Sequence, residues 1–196
     1  MKKILLLTLP LIVMSLASCE KRGPDNSPII QFKDQKFLEA LLAPMPLEDF
    51  VVITVDKDGD GQITEKEASD VTAMNLYGKE IRNMEEIKYF TSLVVIDCGS
   101  NQLTSLDMSN NKALMSLTCD NNQLTSLDVR NNSDLSVLHC NGNRLTSLDV
   151  SNNTALEYLG CYNNPLKTLA ISQSQENASW LDEVKQQYPE LNIIMR

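Results

Sequence analysis

Histidine occurs once in the 196 residues, at His139. Its neighbour Cys140 is a nucleophile by type, but adjacent residues of a strand face opposite sides, so the two cannot meet. No other nucleophile, base and orienting group stand within reach of one another, which argues against an enzyme and leaves no candidate catalytic residue. The paired C-x₂-C spacing of zinc sites is also missing, because Cys98, Cys119, Cys140 and Cys161 are spread at equal, long intervals. A basic surplus is lacking too. Lys and Arg number 17 against 26 Asp and Glu. Residues 1–18 hold two of the basic residues and no acidic one, so the remainder carries 15 − 26 = −11. Such a surface disfavours nucleic acid. Beyond the N-terminus no apolar run approaches a membrane-spanning length.

What is present begins with Met1, Lys2 and Lys3, then an apolar run from Ile4 to Ala17. Its length as a helix, roughly 21 Å, falls short of a ~30 Å hydrocarbon core. Two lysines, a short apolar stretch and small closing residues mark a secretory signal peptide over 1–18. The closing Leu16-Ala17-Ser18-Cys19 resembles the bacterial lipobox. That resemblance implies acylation of Cys19 and a lipid as the membrane attachment. Residues 19–29 (CEKRGPDNSPI) hold little that is apolar and are expected to tether the lipid flexibly to the folded part.

From residue 93 the sequence repeats every 21 positions. Leu93, Leu114, Leu135 and Leu156 open the units; Ile96, Leu117, Leu138 and Leu159 follow, then the four cysteines, then Asn101, Asn122, Asn143 and Asn164, then Leu103, Leu124, Leu145 and Leu166. A weaker unit precedes them, with Val71, Met74, Leu76 and Ile81. The template L-x-x-L-x-C-x-x-N-x-L resembles the leucine-rich-repeat family. It implies a solenoid of 21-residue coils over 71–172, each giving one strand to a short parallel sheet and sharing its core with its neighbours. The second half of each unit repeats the trick (LTSLDVRNN, LTSLDVSNN), so the far side is expected to be extended rather than helical. The cysteines fall at inward positions about 4.8 Å apart, as buried free thiols, because in-register side chains do not point at one another as a disulfide requires. Asp107, Asp128 and Asp149 stack on the far side. Local hydrogen bonds are the simpler account of them, a cation ladder the alternative.

Both ends of such a stack need caps. At 173–196, Trp180, Leu181, Val184 and Tyr188 fall at helical spacing before Pro189, and Leu191, Ile193 and Met195 alternate as a strand. At 30–70 the cap holds DKDGDGQITEKE, residues 56–67, which resembles the EF-hand calcium loop. The resemblance implies side-chain oxygens from Asp56, Asp58 and Asp60, the backbone carbonyl of Gln62, a sharp turn at Gly61, Thr64 acting through a water, and both oxygens of Glu67. The exiting side, from Glu65, reads as helix, and a small α-helical cap is expected. On the entering side two readings stand: a helix over Lys36–Leu42, or a helix starting at Pro46 before the β-branched FVVITV. The loop is single. Dockerin modules carry two, and sensors work as opened pairs, so the calcium is expected to act as a structural clip.

Lipobox, acidic cap with one calcium loop, and 21-residue repeats together resemble bacterial surface leucine-rich-repeat lipoproteins. The implied function is a non-enzymatic, lipid-anchored module at the cell envelope, on the outer membrane or cell surface, binding a protein partner. The alternatives are a carbohydrate-binding accessory protein, with Tyr158 and Tyr162 as stacking platforms, and a purely structural envelope component. The expected contact face is the outward side of the first strands: Asp97, Thr118, an exposed His139, Tyr158 and Tyr162.

Overall fold

The computed structural model describes residues 22–46 and 52–196. Residues 1–18, read from the sequence as a signal peptide, and Cys19 lie outside the described residues. Among those described, five three-residue strands form one parallel sheet in chain order: β3 (Ala73–Asn75), β4 (Val95–Asp97), β5 (Ser116–Thr118), β6 (Val137–His139) and β8 (Tyr158–Gly160). Leu117 pairs with Ile96 and Leu138, and Leu138 with Leu159, so these three steps are one sequence period each, while Met74 pairs with Ile96 one residue further on than the period. The central residue of each strand is buried and its neighbours face outward.

The far side is extended, as its repeated pattern predicts. Asp107, Asp128 and Asp149 are joined by parallel bridges. Strand β7 (Ser147–Asp149) pairs with β9 (Thr168–Ile171), which pairs with β10 (Asn192–Met195). Leu103, Met108, Leu124, Val129, Leu145 and Val150 join Leu93, Leu114, Leu135 and the four cysteines in one core. Each strand of the first sheet exits through a left-handed residue: Gly78, Ser100, Asn121, Gly142, Asn163. This conformation suits Gly and Asn. At Gly142 a side chain would also strike Asn121, whose Oδ1 lies 2.5 Å from where its Cβ would stand.

The first asparagine row holds neighbouring turns together. The Asn122 amide donates to Cys98 O, Cys119 O and Asp120 O, and its Oδ1 accepts from Leu103 N. Asn143 and Asn164 repeat the pattern one period on. A second row, Asn111, Asn132 and Asn153, donates to turn carbonyls on the far side.

At the C-terminal end, α3 (Ser179–Gln187) buries Trp180, Leu181 and Val184 against the last strands. Three side chains there substitute for the missing next asparagines. Gln175 donates to Val150 O and Asn153 O, Trp180 donates to Leu156 O, and the Tyr188 hydroxyl donates to Cys161 O and accepts from Asn164 N. The expected last strand is β10, the outer strand of its sheet, and of Leu191, Ile193 and Met195 the first two are half-buried while Met195 is exposed.

At the other end, α1 (Gln35–Leu42) confirms the helical reading of Lys36–Leu42 and buries Phe37, Ala40 and Leu41. Asp34 caps it through Lys36 N and Phe37 N, and its other oxygen accepts from Arg82 N and Asn83 N of the first repeat. Burial alone would raise the Asp34 pKa, but these four N–H donors hold it below the usual range. Directly before the loop 56–67 the chain is not helical. Strand β2 (Val52–Ile53) pairs antiparallel with β1 (Met45–Pro46), as the β-branched run favours, so the cap is mixed rather than all α-helical. A helix begun at Pro46 would fall on 47–51, outside the described residues. The described part of the tether is also fastened. Arg22 bridges Pro28, Ile29 bridges Thr64, and Pro28 O accepts from Glu65 N at the start of α2 (Glu65–Ser69). An N-terminal helix N–H without such a partner would be left orphaned, which explains why residues 22–29 are held.

Leu138 is fully buried at the centre of the sheet. Leu138→Ala is expected to lower stability by about 2–5 kcal/mol in denaturant titration. A change near zero would show that Leu138 does not pack in the shared core.

Candidate functional site

The loop 56–67 brings three of its five expected metal ligands together. Carboxylate oxygens of Asp56, Asp58 and Asp60 lie within 4.8 Å of one another. The turn is shaped by Asp56, which accepts from Gly59 N at 2.9 Å and Gly61 N at 3.0 Å, and both glycines have positive φ. Asp60 accepts from Gln62 N, and the Gln62 side-chain amide donates back to Asp60. At Asp58 the Asp60 N–H pulls the pKa down. Desolvation and the charges of Asp60 and Glu67 outweigh it, and the pKa is raised. Glu67 does not join the three. It is buried, and its oxygens accept from Lys57 N at 2.8 Å and from Thr64 N and Oγ1 at 2.9 Å. Thr64 in turn accepts from Glu67 N, which makes a capping box at the start of α2. Thr64 is buried and turned to Glu67 rather than to the loop's outer side. Three hard oxygen donors on a tight glycine turn fit a cation such as calcium; the fourth carboxylate is held by the helix start.

The outward face of the five-stranded sheet carries the other expected site residues. Asp97 lies on β4, Thr118 on β5 and His139 on β6, side by side in register. His139 is half-buried rather than exposed, because its ring stacks on Tyr158 with centroids 4.6 Å apart. Gly160, next in the row, makes room for it: a Cβ there would meet the Asn141 amide at 2.9 Å and His139 Nδ1 at 3.3 Å. Tyr162 is turned toward the C-terminal helix, where its hydroxyl donates to Glu183 at 3.0 Å; that bond raises its pKa. Asp120 and Asn141 form a ladder at the strand exits, accepting from Asn141 N and Tyr162 N respectively.

The cysteine row is buried and unpaired. Burial pushes the Cys98 thiol up to about 12 and Cys161 up to about 11, and Cys119 and Cys140 well above their ordinary value. Thiolate chemistry is thereby suppressed. The aspartates of the far side take local partners. Asp107 accepts from Ser109 N, Asp128 pairs with Arg130, and Asp149 accepts from Ser151 and pairs with Arg196.

No protein-family model matches the chain, and no curated protein does. Solved structures do. The leucine-rich repeat domain of APL1B superposes with a TM-score of 0.50 at 20% identity, over 69% of this chain and 42% of its own. The fold is a leucine-rich-repeat solenoid. An internalin, InlF of Listeria monocytogenes, superposes with a TM-score of 0.54 at 20% identity, over 83% of this chain and 56% of its own. The functional domain of InlJ from the same species, which includes a cysteine ladder, is 31% identical over 57% of this chain and 32% of its own, with a TM-score of 0.43. The chain spans less than two thirds of the length of each of these three proteins.

Thiol titration ties the leucine-rich-repeat core to pH. The folded-state pKa of Cys98 and Cys161 lies above the ordinary 9.0. The stabilising difference is therefore complete below about pH 9 and is lost as pH rises toward 11–12. The melting temperature is expected to fall across that window, and less so in Cys98→Ala/Cys161→Ala. Native protein at pH 8 should resist maleimide at these positions. Rapid labelling without unfolding would show the thiols to be accessible.

Proposed function

We propose that this chain is a non-enzymatic interaction module that binds a protein partner on the outward face of its five-stranded sheet and is held at the bacterial cell envelope by a lipid on Cys19. One observation carries it. Of the large apolar residues exposed among the described residues, Tyr77, Val95 and Tyr158 lie along this one face, and Met115 directly precedes β5 at its entry. Exposed apolar groups gathered on one side mark contact surfaces. In this reading residues 1–18 are a signal peptide, 19–29 link the lipid to the fold, 71–172 are 21-residue coils, and 30–70 and 173–196 cap them. The one-period steps between paired strands support the coils. The fastening of Asp34, Gln175, Trp180 and Tyr188 supports the caps. The carbohydrate reading is less favoured, since Tyr158 is stacked on His139 and Tyr162 is bonded to Glu183.

The same proposal assigns calcium to the loop as a clip for the cap. Asp56, Asp58 and Asp60 would hold it, with the Gln62 carbonyl as a further ligand and Glu67 joining only by turning from Lys57 N and Thr64, from which it accepts here, and the ion would neutralise carboxylates that otherwise repel. Binding to the folded state alone stabilises it by about 2.7 kcal/mol at 100 times Kd.

Three measurements test these parts separately. Val95→Lys should abolish capture of surface proteins without changing the melting temperature; undiminished capture would place the contact elsewhere. Calcium should raise the melting temperature and chelator lower it, with both responses gone in Asp58→Asn and little effect from magnesium. A melting temperature indifferent to calcium would remove the ion from the account. Cys19→Ser should move the protein out of the detergent phase, and partitioning like wild type would rule out the lipid.

A further inference from the structure

In a stack of coils each strand is sealed by the next, and the last one needs a cover. On the side of the five-stranded sheet the cover is present, because α3 lies against β8. On the far side the order is β7, β9, β10, and among the described residues β10 (Asn192–Met195) pairs with β9 alone. Asn192 N donates to Lys167 O and Arg196 N to Ile171 O, so the even-numbered residues turn their backbone groups to β9. Alternation turns the N–H and C=O of Ile193 and Met195 outward. Among the described residues none of these four groups has a partner.

The open edge is apolar. Ile194 is 37% exposed and Met195 44%, and Ile193 is half-buried. Beside the strand's entry, Leu166, Tyr188, Pro189 and Leu191 line a groove with Lys167 and Glu190. Proline, lysine and bulges keep natural sheet edges single, and Asn192–Met195 has none of them.

Unpaired strand groups call for another strand, and this one fits itself. Laid antiparallel about a twofold axis through Ile194, two copies of β10 set Ile193 of each opposite Met195 of the other. All four outward groups of each copy are then paired, and the two Ile194 side chains meet at the closer, non-hydrogen-bonded position. The flanking charges favour this direction. Glu190 precedes the strand and Arg196, which reaches Asp149 of its own copy through Nη1, follows it. Antiparallel copies bring these opposite charges toward each other at both ends, whereas parallel copies would bring like charges together.

We infer that this edge seats a second copy of the chain, the two β10 strands joining two three-stranded sheets into one. The pairing holds two five-stranded faces in one particle, which strengthens binding to any partner that is itself repeated. It does not depend on such a partner.

Sedimentation of the full-length chain in detergent, carrying Cys19→Ser so that no lipid drives association, tests this. A dimer should form in the micromolar range. Ile194→Lys sets two lysines opposite each other and should raise the dissociation constant about tenfold or more. The side chain is exposed, so the melting temperature of dilute protein should hardly change. Mild oxidation should join Ile194→Cys to itself, with residue 194 linked to residue 194 in the peptide map. Met195→Cys, opposite Ile193, should not be joined. A chain that stays monomeric at every concentration and forms no such link would overturn the inference. So would a dimer indifferent to Ile194→Lys, or a monomer that takes up a foreign β-strand peptide at this edge.

Discussion

Everything in this fold depends on a buried amide that serves two levels at once. Short parallel strands give few backbone hydrogen bonds, and each strand is followed by a turn whose carbonyls lie inside the stack. Left unpaired, each such group would cost on the order of 1–3 kcal/mol. The asparagine at the exit of one strand answers its own turn and the one below it, as Asn143 does with Cys140 O and Cys119 O. Asparagine alone offers both donors and an acceptor on so short a stem. The strand spacing and the left-handed residue one position before the amide both follow from keeping that geometry in register.

This explains the character of the core. With turns pulled close, the inward position after each strand has room for a small apolar group, and cysteine fills it. Burial removes the thiolate, so the row acts as packing rather than chemistry. It also explains the ends, where the stack stops but the orphan carbonyls do not. Gln175, Trp180 and Tyr188 reach them from a different backbone, each with a donor at the required place.

The repeated strands and the C-terminal helix were legible in the sequence because each is set by a local period. β5, β6 and β8 fall where the template puts them. What was not legible depends on contacts between distant residues. Nothing near Tyr188 says that its hydroxyl replaces an asparagine, and nothing near His139 says that Tyr158, one level on, offers it a ring. The loop 56–67 shows a different limit. Thr64-x-x-Glu67 satisfies two motifs, the last ligand of a calcium loop and the capping box of a helix, and one carboxylate cannot show from spacing alone which donors it faces. The link of residues 22–29 to Thr64 and Glu65 was hidden for the same reason: a polar, apolar-poor segment reads as a tether until the helix start it completes is in view.

The two ends of the molecule are therefore different in kind. In a stack each level touches only its neighbours, so a perturbation at one end decays along it. The loop with Asp56, Asp58 and Asp60 is joined to the repeats through the cap, whose Asp34 grips Arg82 N and Asn83 N in the first repeat. Whatever neutralises those aspartates acts first on the level holding Tyr77 and only weakly on Tyr158. The opposite end is governed by α3 through Tyr162 and Glu183. A face assembled from five levels thus has the Tyr77 ring, packed on Gly99, beside the end that a cation at the loop would steady, and its stacked His139 and Tyr158 beside the end that the C-terminal helix steadies. Changes at the loop should accordingly alter contacts at Gly99 before those at Gly160, since the shorter path through packed levels is the stiffer one.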